Sequence, residues 1–169
     1  MLRFLVGLMA GKAFNTKIIP TKKLIAIFLY QKVLGFNRHV PWPVHWQSKV
    51  INPKNITRGN RFPGLGMGCH IDGRNGIIFG DNVWVGPKVS FISMNHDLND
   101  YYHYTEADPI QIGDNCWFGV NSVVLPGVIL GSHTVVAAGS VVTKSFPQGD
   151  QLLAGVPATV IKKLPEYRS

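Results

Sequence analysis

Acidic residues are missing from the whole first part of the chain: residues 1–71 contain no Asp or Glu, against eleven Lys or Arg. The remainder carries six basic and nine acidic residues, a balance of −3 beneath an overall +8. Any attraction for an anionic partner is therefore concentrated in the N-terminal part, unless those charges simply face solvent. The basic residues are not organised with a recognised binding module, so nucleic acid is not an expected partner. Cysteine is scarce too. Cys69 and Cys116 are too few for a disulfide framework, and both read as reduced, structural residues, which points to the cytoplasm. Long apolar runs are also lacking: residues 4–10, apolar except for Gly7, and residues 24–30, wholly apolar, fall far short of the roughly 20 residues that a spanning helix requires. Arg3 is a thin positive region and Lys12 spoils a small-residue cleavage pattern, so a secretory leader is not expected. The 169 residues, 46% of them apolar, suffice for one domain with an appendage.

What is present is a period of six. Residues 112–147 divide into IGDNCW, FGVNSV, VLPGVI, LGSHTV, VAAGSV and VTKSFP, each block opened by an apolar residue: Ile112, Phe118, Val124, Leu130, Val136, Val142. At the chain's apolar frequency that would occur by chance about 1% of the time, so the period is taken as real. The fifth place is small in all blocks but the last. Three blocks make a coil of eighteen residues with three flat sides, and the opening residues stack in columns inside. No coil buries its own apolar face, so the core comes from stacking neighbours. Gly113, Gly119 and Gly131 suit corners that need open backbone geometry. A β-sandwich with glycine-rich turns is the competing architecture, but its strands would alternate with period two.

The period is clear again in FGDNVW, VGPKVS and FISMNH, which end at His96. Residues 97–111, DLNDYYHYTEADPIQ, lack it. If they loop out, three columns stay in register: Phe79/Ile112/Leu130, Val85/Phe118/Val136 and Phe91/Val124/Val142. An insertion on a rigid scaffold is a usual carrier of function, and His96 sits at its base. A neutral imidazole is the natural group to take a proton from an alcohol near neutral pH. Asp97, Asp100, Glu106 and Asp108 are candidates to orient its other nitrogen, or are solvated loop charges.

The segments IFGDNVWVGPKVSFISMNH, PIQIGDNCWFGVNSVVLPGVILG, VVAAGSVVTK and AGVPATVIKKL resemble the hexapeptide-repeat acyltransferases, within them the maltose and galactoside O-acetyltransferase branch. The likeness runs well over residues 77–164, is faint over 48–76 and absent before. It implies an all-β chain, a left-handed parallel β-helix over residues 48–147 with the 97–111 insertion, after an N-terminal helical segment (1–47) and before a short C-terminal tail (148–169). It further implies a homotrimer in which acetyl-CoA, as co-substrate without a metal, meets a sugar or glycan acceptor between subunits. His96 falls on the position of the general base. Donor contacts carry over to Val120, through its backbone, and to Ala138, Thr143 and Lys144. Lys144 and Lys162 are placed to meet phosphates, or are solvated lysines. Asp72 is an acceptor contact or a turn-forming aspartate. Thr159 stands where the family often has a basic residue, and Gly66 near where it has an asparagine that touches the acceptor, so the acceptor is expected to differ from a simple galactoside or maltoside.

Outside the repeat, Thr21 and Gly35 bracket LIAIFLYQKVL as a helix with a capping hydroxyl and a left-handed stop. Lys12, Lys17, Lys22, Lys23 and Lys32 surround the apolar runs, with Trp42 and Trp46 following. That mixture suits peripheral contact of residues 1–46 with the inner face of a membrane, or a helix packed on the end of the prism or on a trimer neighbour. The composite reading is a cytoplasmic O-acetyltransferase for a surface polysaccharide or lipid-linked glycan. The alternatives are N-acetylation of an amino sugar, a non-catalytic scaffold, and a zinc carbonic-anhydrase-like site built from His70, His96 and His103.

Overall fold

The computed structural model describes residues 2–168. From Lys49 onward the chain winds as a three-sided parallel β-helix of about five turns. Its first face stacks Lys49–Ile51, His70–Asp72, Ser90–Ile92, Val123–Val124 and Val141–Val142. The second stacks Ile56–Thr57, Ile77–Phe79, Ile110–Ile112 and Ile129–Leu130, with a bridge from Leu130 to Phe146. The third stacks Trp84–Val85, Trp117–Phe118, Thr134–Val136 and Gln151–Gly155. All these pairings are parallel, which a sandwich of hairpins would not give.

The six-residue period fixes this register. Phe79 pairs with Ile112 and Ile112 with Leu130; Val85 with Phe118 and Phe118 with Val136; Phe91 with Val124 and Val124 with Val142. These columns meet in a core where Phe91 packs edge-on to Phe79 and Phe118, ring centroids 4.9 and 4.8 Å apart. Small fifth-place residues fill the corners. The buried hydroxyls of Ser122 and Thr134 donate to the carbonyls of Gly119 and Gly131 at 2.8 and 2.7 Å. Cys116 is fully buried, and burial pushes its thiol up to about 11, as it raises that of Cys69. Neither is poised as a thiolate.

Gly113, Gly119 and Gly131 are needed for a different reason from the one expected. None has a positive φ; the left-handed positions include Asn82, Lys88, Asn115, Asn121, His133 and Asp150 and other glycines, such as Gly127 and Gly139. A Cβ on Gly113 or Gly119 would instead lie 2.5 Å from the backbone nitrogen of Ser132 or Ala138 in the next coil. Glycine here permits contact between coils.

Before the β-helix, α1 (Leu2–Ala10) and α2 (Thr21–Phe28) pack around Phe14, Ile19, Leu24 and Ile27, and a π-turn, Leu29–Val33, leads to Gly35 at φ 92°. Thr21 does not cap α2: it is the first helical residue, and its hydroxyl accepts a 2.8 Å hydrogen bond from Arg3 Nε. Gln31, fully buried, joins this segment to the prism side by donating to the carbonyls of Asn37, Val40 and Trp42 and accepting from the Val44 N–H. Trp42 is likewise buried, its indole N–H donating to Pro63 at 3.0 Å, and Trp46 stacks between Tyr30 and His45. These tryptophans serve internal packing rather than an outward anchor. Residues 148–169, expected as a tail, contain a further strand, Ala158–Lys163, that folds back antiparallel on Gln151–Gly155 and covers the last coil with Leu153 and Ala158 fully buried.

Because Phe118 is central to the aromatic column, Phe118→Ala is expected to cost about 3–5 kcal/mol in urea denaturation. Ile78→Ala, on the solvent side of the second face, is expected to cost under about 1 kcal/mol.

Candidate active site

The interruption of the period lies at the corner between the first and second faces. Stacked residues are eighteen apart in the later coils but thirty-three apart across this corner, as in Phe91 to Val124. Ile110 is already fully buried and paired with Ile77, so the excursion covers residues 97–109 rather than 97–111. At its base Asn95–His96 pairs antiparallel with Tyr104–Thr105, making a short hairpin. Its tip is shaped by aspartates: Asp97 Oδ1 accepts from the Asn99 and Asp100 N–H groups, and Asp100 accepts from the Tyr102 N–H and binds His103 Nδ1 at 2.8 Å.

His96 is exposed, and its Nδ1 lies 2.6 Å from the Tyr101 carbonyl. A carbonyl only accepts, so the neutral ring carries its proton on Nδ1 and leaves the Nε2 lone pair free. The orienting group is therefore a backbone oxygen rather than Asp97, Asp100, Glu106 or Asp108.

Directly opposite, the Tyr104 ring lies 4.5 Å from the His96 ring, and its own face is covered by the Arg74 guanidinium at 4.5 Å. Arg74 is held in turn by Asp72: Nε reaches both carboxylate oxygens at 3.1 Å and Nη2 reaches Oδ2 at 2.7 Å. Asp72 is 1% exposed, so the expected acceptor contact is not available to it; the group this pair turns outward is the guanidinium. Hydrogen bonding to Asp72 raises the Arg74 pKa further, keeping it a cation. Asn75 adds a bond from Nδ2 to the Thr105 carbonyl at 3.1 Å. The hairpin is thus tied to the rigid coil beneath it. Sequence reasoning missed Arg74, for which only the DGR turn gave a signal, and Tyr101, whose contribution is anonymous backbone.

The other predicted site residues lie on different corners. Val120 and Ala138 occupy successive coils where the third face turns into the first; Val120 is exposed, and its carbonyl accepts from the Gly139 N–H at 2.9 Å. Thr143 and Lys144 follow the first face, at the corner that carries His96 two coils lower, and both are exposed. Lys162 is exposed on the last strand, opposite Leu152. Within one chain the whole width of the first face separates His96 from Val120 and Ala138. Missed altogether was an aromatic ledge on the third face, where Trp84 pairs with Trp117, both half exposed. Both stand at the sixth place of their blocks, a signal the sequence did carry. Of the three histidines of the zinc alternative, His96 and His103 are engaged separately, and among the described residues no three His, Cys, Asp or Glu side chains are grouped to hold a metal ion.

Replacing Tyr104 with Ala removes the ring between Arg74 and His96. Hydrogen exchange of the Asp97 amide, which bonds the His103 carbonyl at 3.0 Å, is expected to rise about tenfold. Tyr104→Phe, which keeps the ring, is expected to leave it unchanged.

The model of a hexapeptide repeat of succinyl-transferase matches residues 109–144. A putative acetyltransferase of Staphylococcus aureus is 46% identical over 77 residues, covering 44% of this chain and 38% of that relative; the chain spans less than half the length of several curated relatives it matches. The galactoside O-acetyltransferase of Escherichia coli is 36% identical over 184 residues, covering 92% of this chain and 86% of the relative. Among solved structures, a galactoside acetyltransferase in complex with coenzyme A superposes with a TM-score of 0.61 at 31% identity, over 70% of this chain and 63% of that one. With near full-length identity on one side and the same coiled architecture on the other, the chain belongs to the galactoside O-acetyltransferase family of hexapeptide-repeat proteins.

Proposed function

We propose that this protein transfers the acetyl group of acetyl-CoA to a hydroxyl of a sugar, with His96 as general base. The observation that carries the reading is the 2.6 Å contact from His96 Nδ1 to the Tyr101 carbonyl, which commits one ring nitrogen and presents the other to an acceptor. Nε2 takes the hydroxyl proton as the sugar oxygen attacks the thioester carbonyl. The tetrahedral intermediate then collapses with loss of the coenzyme A sulfur, which recovers that proton. Arg74 steadies the hairpin that holds the base, and Asp72 acts through Arg74 rather than on the sugar.

The donor lies along the corner of Val120, whose N–H faces the pantetheine arm, and Ala138; Thr143, Lys144 and Lys162 reach its phosphate-bearing end. Because Val120 and Ala138 lie on a different edge of the prism from His96, the working site forms between copies. A homotrimer supplies that arrangement, each chain giving its base to the donor corner of the next.

The acceptor is a surface polysaccharide or lipid-linked glycan at the cytoplasmic face of a membrane. No helix among the described residues is long and apolar enough to cross a bilayer. Yet α1 exposes Phe4, Leu8 and Met9 at 63, 74 and 74%, and the turn after α2 exposes Val33 and Leu34 at 62% each. Apolar side chains on a segment rich in lysine and free of acid suit an anionic lipid surface.

His96→Ala is expected to lower kcat about 10²- to 10⁴-fold while leaving coenzyme A binding intact; acetylation at the full rate overturns the proposed role. In flotation with phosphatidylglycerol vesicles, the full chain is expected to rise with the lipid and the Leu8→Ser, Met9→Ser double variant to stay behind. Equal recovery of both in the soluble fraction removes the membrane element.

A further inference from the structure

A cleft of about 200 Å³ opens between the N-terminal segment and the foot of the third face. Ile18, Lys23, Arg61, Phe62, Gly66 and Trp84 are among the residues around it. It lies on the same edge as the proposed donor positions, and the stacking of coils gives a continuous path. Gly139 donates to the Val120 carbonyl; a Cβ on Gly119 would touch Ala138; one on Gly86 would lie 3.2 Å from the Val120 nitrogen; one on Gly66 would lie 2.9 Å from the Gly86 carbonyl. The cleft is therefore the lower end of the corner that carries Val120 and Ala138 above.

Its chemistry is one-sided. Lys23 and Arg61 contribute two cations, and no carboxylate lines it. The three ion pairs found among the described residues belong to Arg74, His103 and His133, so neither cation is neutralised by a salt bridge. Arg61 is fixed rather than loose: its guanidinium lies 3.4 Å above the Trp84 ring and donates once, from Nη2 to Asn82 Oδ1 at 3.2 Å. A guanidinium held flat on a ring keeps its other in-plane N–H donors for an oxyanion. Burial lowers the Arg61 pKa, a cost that an anion in the cleft would offset. Gly66 adds no side chain, and the coil above leaves no room for one.

We propose that this cleft binds the phosphate or diphosphate through which the acceptor sugar is joined to its carrier. The assignment of a sugar to this site rests on the acetyl-transfer reading; the assignment of the anion rests on Lys23 and Arg61. The acceptor class is thus a glycosyl phosphoester, and a neutral glycoside of the same sugar is a poor ligand.

The test is calorimetric titration of the protein saturated with coenzyme A, so that the donor's own phosphate sites are filled. Galactose 1-phosphate is expected to bind at least tenfold tighter than methyl galactoside, and the advantage is expected to vanish in Arg61→Gln and in Lys23→Gln with coenzyme A affinity unchanged. Both side chains reach the surface, and Lys23→Gln alone decides the matter if Arg61→Gln folds poorly. Equal binding of the two sugars, or an advantage that survives both substitutions, overturns the proposal. UDP-galactose and a polyprenyl diphosphate galactose in detergent micelles identify the carrier: tighter binding of the first points to a nucleotide, of the second to a lipid. Binding is read without turnover, so the two ideas fail separately. An inactive His96→Ala with equal sugar binding sinks only the cleft, whereas selective phosphate binding with a fully active His96→Ala sinks only the base.

Discussion

Coils of this protein are held by what the next coil supplies. Every coil strand before Gln151–Gly155 is two or three residues long, far too short to be stable alone, and backbone donors on the flat sides reach carbonyls one coil away, as Gly113 reaches Leu130 and Gly119 reaches Val136 at 2.8 Å. The same dependence acts on the side chains: Phe91 is fully buried between Ile71 and Val124 of the adjacent coils, with Phe79 and Phe118 against its ring. Such a stack has two open ends, and unpaired ends invite association with other chains. The antiparallel strand Ala158–Lys163 covers one, and the segment joined through Gln31 and Trp42 packs beside the other.

That dependence also explains how the stack tolerates its interruption. Thirteen residues leave one corner, yet Ile77–Ile110 and Phe79–Ile112 pair as if the chain had never departed. The excursion adds no strain to the register because it begins and ends at the same edge. What it lacks is burial: residues 98–106 are all exposed. Its order therefore comes from polar and aromatic links to the coil below, through Asn75 and through the Asp72, Arg74 and Tyr104 series. A histidine on a hairpin so tied is positioned by the rigid scaffold while remaining exposed, as the proposed base must be.

Much of this was legible in the residues. The six-residue period gave the three columns, and the break in it located His96, because apolar spacing records burial directly. Other features failed for physical reasons. Ile110 and Gln111 start their strand before the block pattern resumes at Ile112, so the end of the insertion was placed two residues late. Glycines at corners carry one signature for two needs, positive φ and close approach, and here the neighbouring coil decides between them. Thr21 looked like a cap until Arg3, distant in sequence, took its hydroxyl. Trp42 beside prolines and lysines resembled an interfacial anchor, but its indole is spent on Pro63. The Tyr101 carbonyl could not be read at all, since every residue has one.

The division of charge follows the division of labour. The β-helix proper, with its excess of acid, has Asp97, Asp100, Asp114 and Asp150 occupied in turns and corner hydrogen bonds, where they shape the backbone. The acid-free part instead leaves Lys23 and Arg61 without carboxylate partners at the junction of α2 and the first coils. A protein that needed these cations only for solubility would not lay one of them flat on Trp84 with its pKa lowered by burial. Under the proposed reading, the exposed apolar side chains of the N-terminal segment and the cations at the foot of the third face each suit a sugar joined by phosphate to a carrier at a membrane.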